Sequence, residues 1–102
     1  MLVVFTTAPT TDEANSLARK IVEQRLAACV QVLPQMTSVH WWDGAVREEP
    51  EHLLLIKTTA EKYDSLESFI KMNHSYEVPE IVAIEAERVS EAYLGWMNET
   101  LT

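Results

Sequence analysis

Cysteine is nearly absent from this chain of 102 residues, which contains only Cys29. A single cysteine cannot form a disulfide within the chain, so the sequence does not require an oxidising compartment. Basic residues are also scarce: eight lysines and arginines face sixteen acidic residues and leave a formal charge of -8. Nucleic acids and anionic membrane surfaces attract basic faces, and we therefore expect neither as a partner.

Long apolar runs are missing as well. Apolar runs such as residues 53–56 are short, whereas a membrane-spanning helix needs roughly 20 such residues. The first residues lack the basic leader and small-residue cleavage site of a signal peptide. These absences predict a cytoplasmic protein.

The familiar signatures of enzymes and cofactor sites are also missing. The chain has no paired-cysteine motif, no HExxH zinc motif, no GxSxG nucleophile motif and neither of the glycine-rich phosphate-binding loops. The segment 5–9 likewise lacks the arginine and glycines that an acylphosphatase-type phosphate loop would need. We therefore predict that the protein is not an enzyme and has no organic cofactor.

What the chain does contain is a series of strand and helix patterns that predicts one domain over residues 1–102. The predicted strands cover residues 2–5, 29–33, 37–42, 46–48, 52–58 and 80–85, and the predicted helices start at the N-caps Thr10, Thr58 and Ser90. This order predicts an α+β, ferredoxin-like split βαβ sandwich with an antiparallel sheet and a C-terminal helix. Asp43-Gly44 predicts the turn of an extended β-hairpin.

Apolar residues on both sides of the strands suggest that the protein does not act alone. Two helices cover one face of the predicted sheet and leave the other face open. Strand alternation places Trp41 and Trp42 on opposite faces of the hairpin, and tryptophan is enriched at protein interfaces. We expect further copies of the same chain to cover the open face.

Three segments carry residues with possible chemistry. Cys29 is either a small buried hydrophobe, the more frequent role of free cysteine, or a soft-metal ligand. His74 either caps the end of a helix or binds a metal together with the carboxylates at positions 77 and 80. The acidic segment 48–51 is either a site for a hard cation or a solvated turn, and the turn is favoured because the segment lacks the ligand spacing of a calcium loop.

Five segments together resemble the CutA divalent-cation-tolerance family. They are 25–30 (RLAACV), 38–44 (SVHWWDG), 54–58 (LLIKT), 74–81 (HSYEVPEI) and 93–96 (YLGW), and they follow the order of the family over nearly the whole chain. The resemblance implies a homotrimer, similar in architecture to the PII signalling proteins. It also implies binding of copper or another divalent metal ion and a role in the response to metal ions.

The resemblance also implies two groups of site residues. Metal ligands are expected at Cys29, His74 and Glu77, and the clefts between subunits are expected to be lined by Trp42, Glu49, Lys57 and Tyr76. The chain has Ser75 where the family pattern usually has proline, which removes a conformational restraint from this loop. An alternative function is that of a PII-like signalling or scaffold trimer that binds a small metabolite or a partner protein in those clefts.

Overall fold

A computed structural model describes all residues 1–102 and shows five strands and three α-helices. The strands are β1 (Leu2–Ala8), β2 (Cys29–Val32), β3 (Met36–Trp42), β4 (Ala45–Thr58) and β5 (Val82–Glu85), and the helices are α1 (Thr11–Glu23), α2 (Tyr63–Asn73) and α3 (Glu91–Leu101). All strand pairs are antiparallel, and the sheet order is β2-β4-β1-β5, with β3 paired to the first half of β4. The predicted α+β sandwich is therefore confirmed.

The hydrophobic core lies between the sheet and helices α1 and α2. Even-numbered residues of β1 and β4 point toward these helices, as shown by the complete burial of Val4, Leu54 and Ile56. Leu17 and Ile21 of α1 pack with Leu66 and Ile70 of α2 against this side of the sheet. A smaller cluster joins Met97 and Leu101 of α3 to Ala28.

The opposite side of the sheet is apolar and uncovered over much of its area. The register places Val3 of β1 opposite Ile84, and Phe5 opposite Val82, and facing residues in an antiparallel pair share one side of the sheet. Val82 and Ile84 are about half exposed. The prediction of strands that are apolar on both sides is confirmed.

Strand β4 differs from the prediction, because residues 45–58 form one continuous strand. The acidic segment 48–51 was expected to be a turn, yet Glu49 lies opposite Ser38, and Pro50 opposite Thr37. This part of β4 extends beyond the end of β1, whose pairing stops at His52. It is therefore bonded on one side only, which is where a strand tolerates proline.

The predicted helix starts are correct in two cases of three. The side chains of Thr10 and Ser90 accept backbone N–H groups of Glu13 and Tyr93, as N-caps do. Thr58 is not a cap: it ends β4, and its hydroxyl donates to the carbonyl of Leu26. A short 3-10 turn over Ala60–Lys62 precedes α2 instead.

The hairpin turn allows a direct test of the backbone geometry. Asp43 and Gly44 both have positive φ angles, 51° and 77°, as a two-residue type I′ turn requires. We expect Gly44→Ala to lower the free energy of unfolding by about 1 kcal/mol, because a Cβ atom disfavours this conformation. The control is Gly95→Ala on α3, where nothing lies within 4 Å of an added Cβ and where we expect a gain of about 0.5–1 kcal/mol. Urea denaturation measures both, and equal effects would contradict the assigned turn.

Candidate functional site

A cavity of about 440 Å³ opens on the uncovered side of the sheet, between the β3–β4 hairpin and the segment 75–80. Eleven residues line it: Thr7, Ser38, His40, Trp42, Glu49, Glu51, Ser75, Tyr76, Glu77, Val78 and Glu80. Four of them are glutamates, and none is lysine or arginine. The cavity is therefore strongly acidic.

Strand alternation explains why so many polar side chains meet here. Ser38, His40 and Trp42 occupy every second position of β3, and Glu49 and Glu51 occupy every second position of β4. Side chains two residues apart point to the same side of a strand. The two strands therefore form one wall of the cavity, and the segment after α2 forms the other.

Glu51 is the most deeply placed acidic residue of the cavity, since only 6% of it is exposed. Its Oε2 accepts hydrogen bonds from the Thr7 hydroxyl at 3.1 Å and the Tyr76 hydroxyl at 2.8 Å. Both partners are neutral, and no protein group donates to Oε1. The arrangement leaves one carboxylate oxygen free beside the cavity.

The Tyr76 hydroxyl is partly buried and lies near three carboxylates. Burial raises the pKa of the Tyr76 hydroxyl well above its usual range, and its hydrogen bond to Glu51 and the charges of Glu51, Glu49 and Glu13 raise that pKa further. The hydroxyl therefore keeps its proton and remains a donor to Glu51. A cation in the cavity would act in the opposite direction.

His74 lies behind the cavity wall as a buried structural link. Its side chain is fully buried, its Nε2 lies 2.6 Å from the Thr7 carbonyl, and its Nδ1 accepts the Tyr76 N–H at 3.0 Å. Both ring nitrogens are therefore engaged by backbone groups. In this arrangement neither nitrogen is free for a metal, and His74 instead connects the segment 75–80 to β1.

Ser75 makes contacts that proline could not fully reproduce. Its backbone N–H and its hydroxyl both donate to Oε2 of Glu13, at 3.2 and 2.9 Å. The carboxylate of Glu13 thus reaches this loop from the first turn of α1, rather than folding back on its own helix as the capping-box pattern predicted. In this chain the two hydrogen bonds restrain the loop, whereas in the usual family pattern the ring of a proline would restrict its backbone.

Cys29 and Lys57 lie at the other end of the sheet. They face each other in the register of β2 and β4. Lys57 is six residues after Glu51 on β4, a distance of about 20 Å along an extended strand. Cys29 is partly exposed and lies beside Tyr93. Burial raises the pKa of the Tyr93 hydroxyl, and the charge of Cys29 and its hydrogen bond raise that pKa further. The Lys57 ammonium donates to the Gln31 side chain.

The structure therefore divides the predicted site residues into two groups. Trp42, Glu49 and Tyr76, three of the four residues expected in the clefts between subunits, line one cavity of the single chain, and Glu77 joins them. Cys29, His74 and Glu77 do not form one metal site within a single chain, and nowhere do three or more histidine, cysteine or acidic side chains come together as metal ligands.

Sequence reasoning missed the importance of Glu51. Its position, two residues after Glu49, would place both carboxylates on one side of a strand, but the predicted turn at Pro50 obscured that alternation. The roles of Thr7 and His74 as partners across the sheet had no signal in the sequence, because residues 67 positions apart meet only in the folded chain.

The fold and the cavity define the class of this protein, a ferredoxin-like α+β domain with a projecting hairpin and an acidic cleft beside it. Comparison with known proteins supports a narrower assignment. The family described as CutA1 divalent ion tolerance protein matches residues 2–100, and the chain belongs to this family. The family is described by cation tolerance and not by a catalysed reaction.

Individual relatives agree over the whole domain. The divalent-cation tolerance protein CutA of Thermus thermophilus is 43% identical over 97 residues, which cover 95% of this chain and 94% of that protein. Its solved structure has a TM-score of 0.95 with full coverage of both chains. The human protein CutA is 40% identical over 93% of this chain. It is a longer protein, and the chain spans about half of it, 53% of its length.

Relatives differ in their cellular compartment. A rice relative is named chloroplastic, with 38% identity over 97% of this chain and 56% of its own length. A structure from Archaeoglobus fulgidus is named a periplasmic divalent cation tolerance protein, with 35% identity, a TM-score of 0.95 and full coverage of both chains. None of the helices here has the length and apolar character needed to span a membrane. The cytoplasmic location stays a prediction.

Removal of the Tyr76 hydroxyl tests the hydrogen bond to Glu51. The pKa of Tyr76 is higher in the folded protein than in the unfolded chain, where it is about 10. This difference stabilises the folded state fully at pH values below about 10, and the stabilisation is lost as the pH rises above that value. We expect Tyr76→Phe to cost about 1–2 kcal/mol near neutral pH and to make stability fall less steeply in alkali. Urea denaturation from about pH 7 to about pH 10.5 measures both effects. Tyr63→Phe, outside the cavity, is the control, and matching profiles for the two variants would refute the assigned role.

Proposed function

We propose that this protein serves divalent-cation tolerance as a homotrimer that binds copper or a similar divalent ion in the acidic cavity. The observation that carries this proposal is the buried carboxylate of Glu51, which has a free oxygen beside the cavity and no cationic partner. Buried charges normally pair with an opposite charge. A bound cation would provide that partner.

The lining favours an ion that keeps part of its water shell. Because no three metal-ligating side chains converge, direct coordination by this chain alone would involve few ligands, and water would supply the others. Glu77 and Glu80 lie on the loop wall, and His40 on the hairpin offers the only imidazole of the lining. Carboxylate and imidazole donors together suit copper and zinc.

Self-association is supported by the apolar surfaces that the domain leaves open. The hairpin side opposite the cavity exposes Val39, Trp41 and Val46, with Trp41 74% exposed. A second apolar area is the uncovered side of β1 and β5. Surfaces of this kind mark protein interfaces. The number of subunits, three, follows from the resemblance to the CutA family.

A second candidate function is the PII-like one, binding of a small metabolite in the cleft. The volume of the cavity favours it, because about 440 Å³ is far more than one ion occupies. Known small-molecule sites measure about 300–1,000 Å³. Both candidates use the same cavity.

Titration with copper and zinc tests the location of the metal site. We expect Glu51→Gln and Glu77→Gln each to weaken binding by about tenfold, as loss of a ligand or of its supporting charge does. Cys29→Ser removes a thiol about 20 Å away along β4, and we expect it to leave the affinity within about twofold. Isothermal titration calorimetry measures all four proteins. Loss of binding in Cys29→Ser with unchanged affinity in both glutamine variants would place the metal outside the cavity.

Sedimentation equilibrium tests the proposed assembly. We expect the natural chain to sediment as a trimer and Trp41→Glu to shift it toward monomer, because a charge would then lie in an apolar contact. Met72→Glu is the matched control, since Met72 is 84% exposed on α2, on the helix side of the sheet. A monomeric natural protein, or dissociation by both variants alike, would overturn the proposed interface.

A further inference from the structure

One wall of the cavity is a loop without regular structure. Residues 75–80 lie between the end of α2 and the start of β5, and no backbone–backbone hydrogen bond involves them. Helices and strands fix their backbones through repeated hydrogen bonds, whereas this wall depends on individual side-chain contacts. Five residues of the loop line the cavity: Ser75, Tyr76, Glu77, Val78 and Glu80.

Glu13 accepts half of the hydrogen bonds that hold this loop. Four hydrogen bonds reach residues 75–80. Tyr76 makes two of them, from its N–H to the His74 ring and from its hydroxyl to Glu51. Ser75 makes the other two, and both end on Oε2 of Glu13. Residues 77–80 make none of these bonds, so their position follows from that of the two residues before them.

Glu13 reaches the loop from outside the cavity. It lies three residues after the N-cap Thr10 of α1, where a glutamate often bonds back to its own N-cap. Here its side chain is 24% exposed, and Oε2 lies 3.6 Å from Nδ1 of His74. A carboxylate accepts hydrogen bonds that are roughly twice as strong as those to a neutral acceptor. Glu13 is not part of the lining, so it contacts the cavity only through this loop.

We propose that Glu13 is a positioning residue for the cation site and that it acts through Ser75. Its carboxylate fixes the first residue of the loop to α1, and this contact sets the positions of Tyr76 and Glu77 in the cavity wall. The role in cation binding rests on the proposed function of the cavity, whereas the role in holding the loop does not. A change at Glu13 therefore alters a site that Glu13 does not line.

Amide hydrogen exchange of the assembled protein, followed by NMR without any metal, tests the hold on the loop. The Tyr76 N–H reports on the loop, because its acceptor is the His74 ring. We expect Glu13→Ala to speed its exchange by about tenfold, since loss of both bonds from Ser75 raises the population of open loop.

The matched control for this measurement is Asp12→Ala. It also removes a carboxylate from the first turn of α1, but Asp12 is exposed and does not contact Ser75. We expect it to change the exchange of the Tyr76 N–H by less than about twofold. Equal acceleration by the two variants, or none by Glu13→Ala, would overturn the proposal.

A double-mutant cycle separates anchoring of the loop from the negative charge of Glu13. Ser75→Pro removes both donors to Glu13 and restricts the backbone through its ring. His74 already has the extended conformation that precedes a proline, with φ -98° and ψ 145°. We expect Glu13→Ala to weaken copper binding by about fivefold in the natural chain and by less than about twofold in the Ser75→Pro chain, as calorimetry measures. A purely electrostatic effect of Glu13 would be equal in both chains, and that result would refute the positioning role.

Ser75→Ala replaces Ser75→Pro in the cycle if the proline variant does not fold. It removes one of the two donors to Glu13, and we expect the effect of Glu13→Ala on copper affinity to shrink to about twofold to threefold. Fully additive effects would refute the proposal. If the natural protein binds no copper, the proposed function fails, and the exchange of the Tyr76 N–H still decides whether Glu13 positions the loop.

Discussion

Strand β4 is hydrogen-bonded to three of the other four strands, and its 14 residues extend well beyond the partner strand β1. Its even-numbered residues Leu54 and Ile56 enter the core, and its odd-numbered residues face the open side of the sheet. The same alternation therefore builds the core at one end and the acidic cavity at the other. A shift of one residue in its register would exchange the two sides along its whole length.

The position of Glu51 follows from this geometry and has a cost. A carboxylate in a largely buried position gives up water contacts, and the hydroxyl groups of Thr7 and Tyr76 donate to its Oε2 instead. The His74 ring bonds to the Thr7 carbonyl of β1 through one nitrogen and to the Tyr76 N–H through the other. It thereby holds the backbone of Tyr76 next to β1, within reach of Glu51. His74 thus acts on the cavity through the position of Tyr76.

The general architecture could be predicted from local signals. Thr10 and Ser90 mark helix starts because they satisfy free backbone N–H groups, and Asp43-Gly44 specifies a turn through the positive φ angles that these residues tolerate. Pro50 misled the prediction, since proline usually interrupts a strand, whereas here it occupies a stretch that is paired on one side only. The antiparallel sheet with its helices followed from the order of helices and strands along the chain.

The composition of the candidate site could be predicted only in part. Resemblance to the CutA family indicated Trp42, Glu49, Tyr76 and Glu77, which the fold brings together. It also indicated Cys29 and Lys57, which the register of β2 and β4 places at the opposite end of the sheet. Ring nitrogens that are occupied by backbone groups, as in His74, leave no trace in the order of residues.

We propose that the acidic cavity, and not Cys29, is where this protein binds a cation. The most direct measurement is anomalous diffraction at the copper edge from crystals soaked in copper. We expect an anomalous peak beside Glu51 and Glu77, within the cavity. A peak at Cys29 with none in the cavity would contradict it.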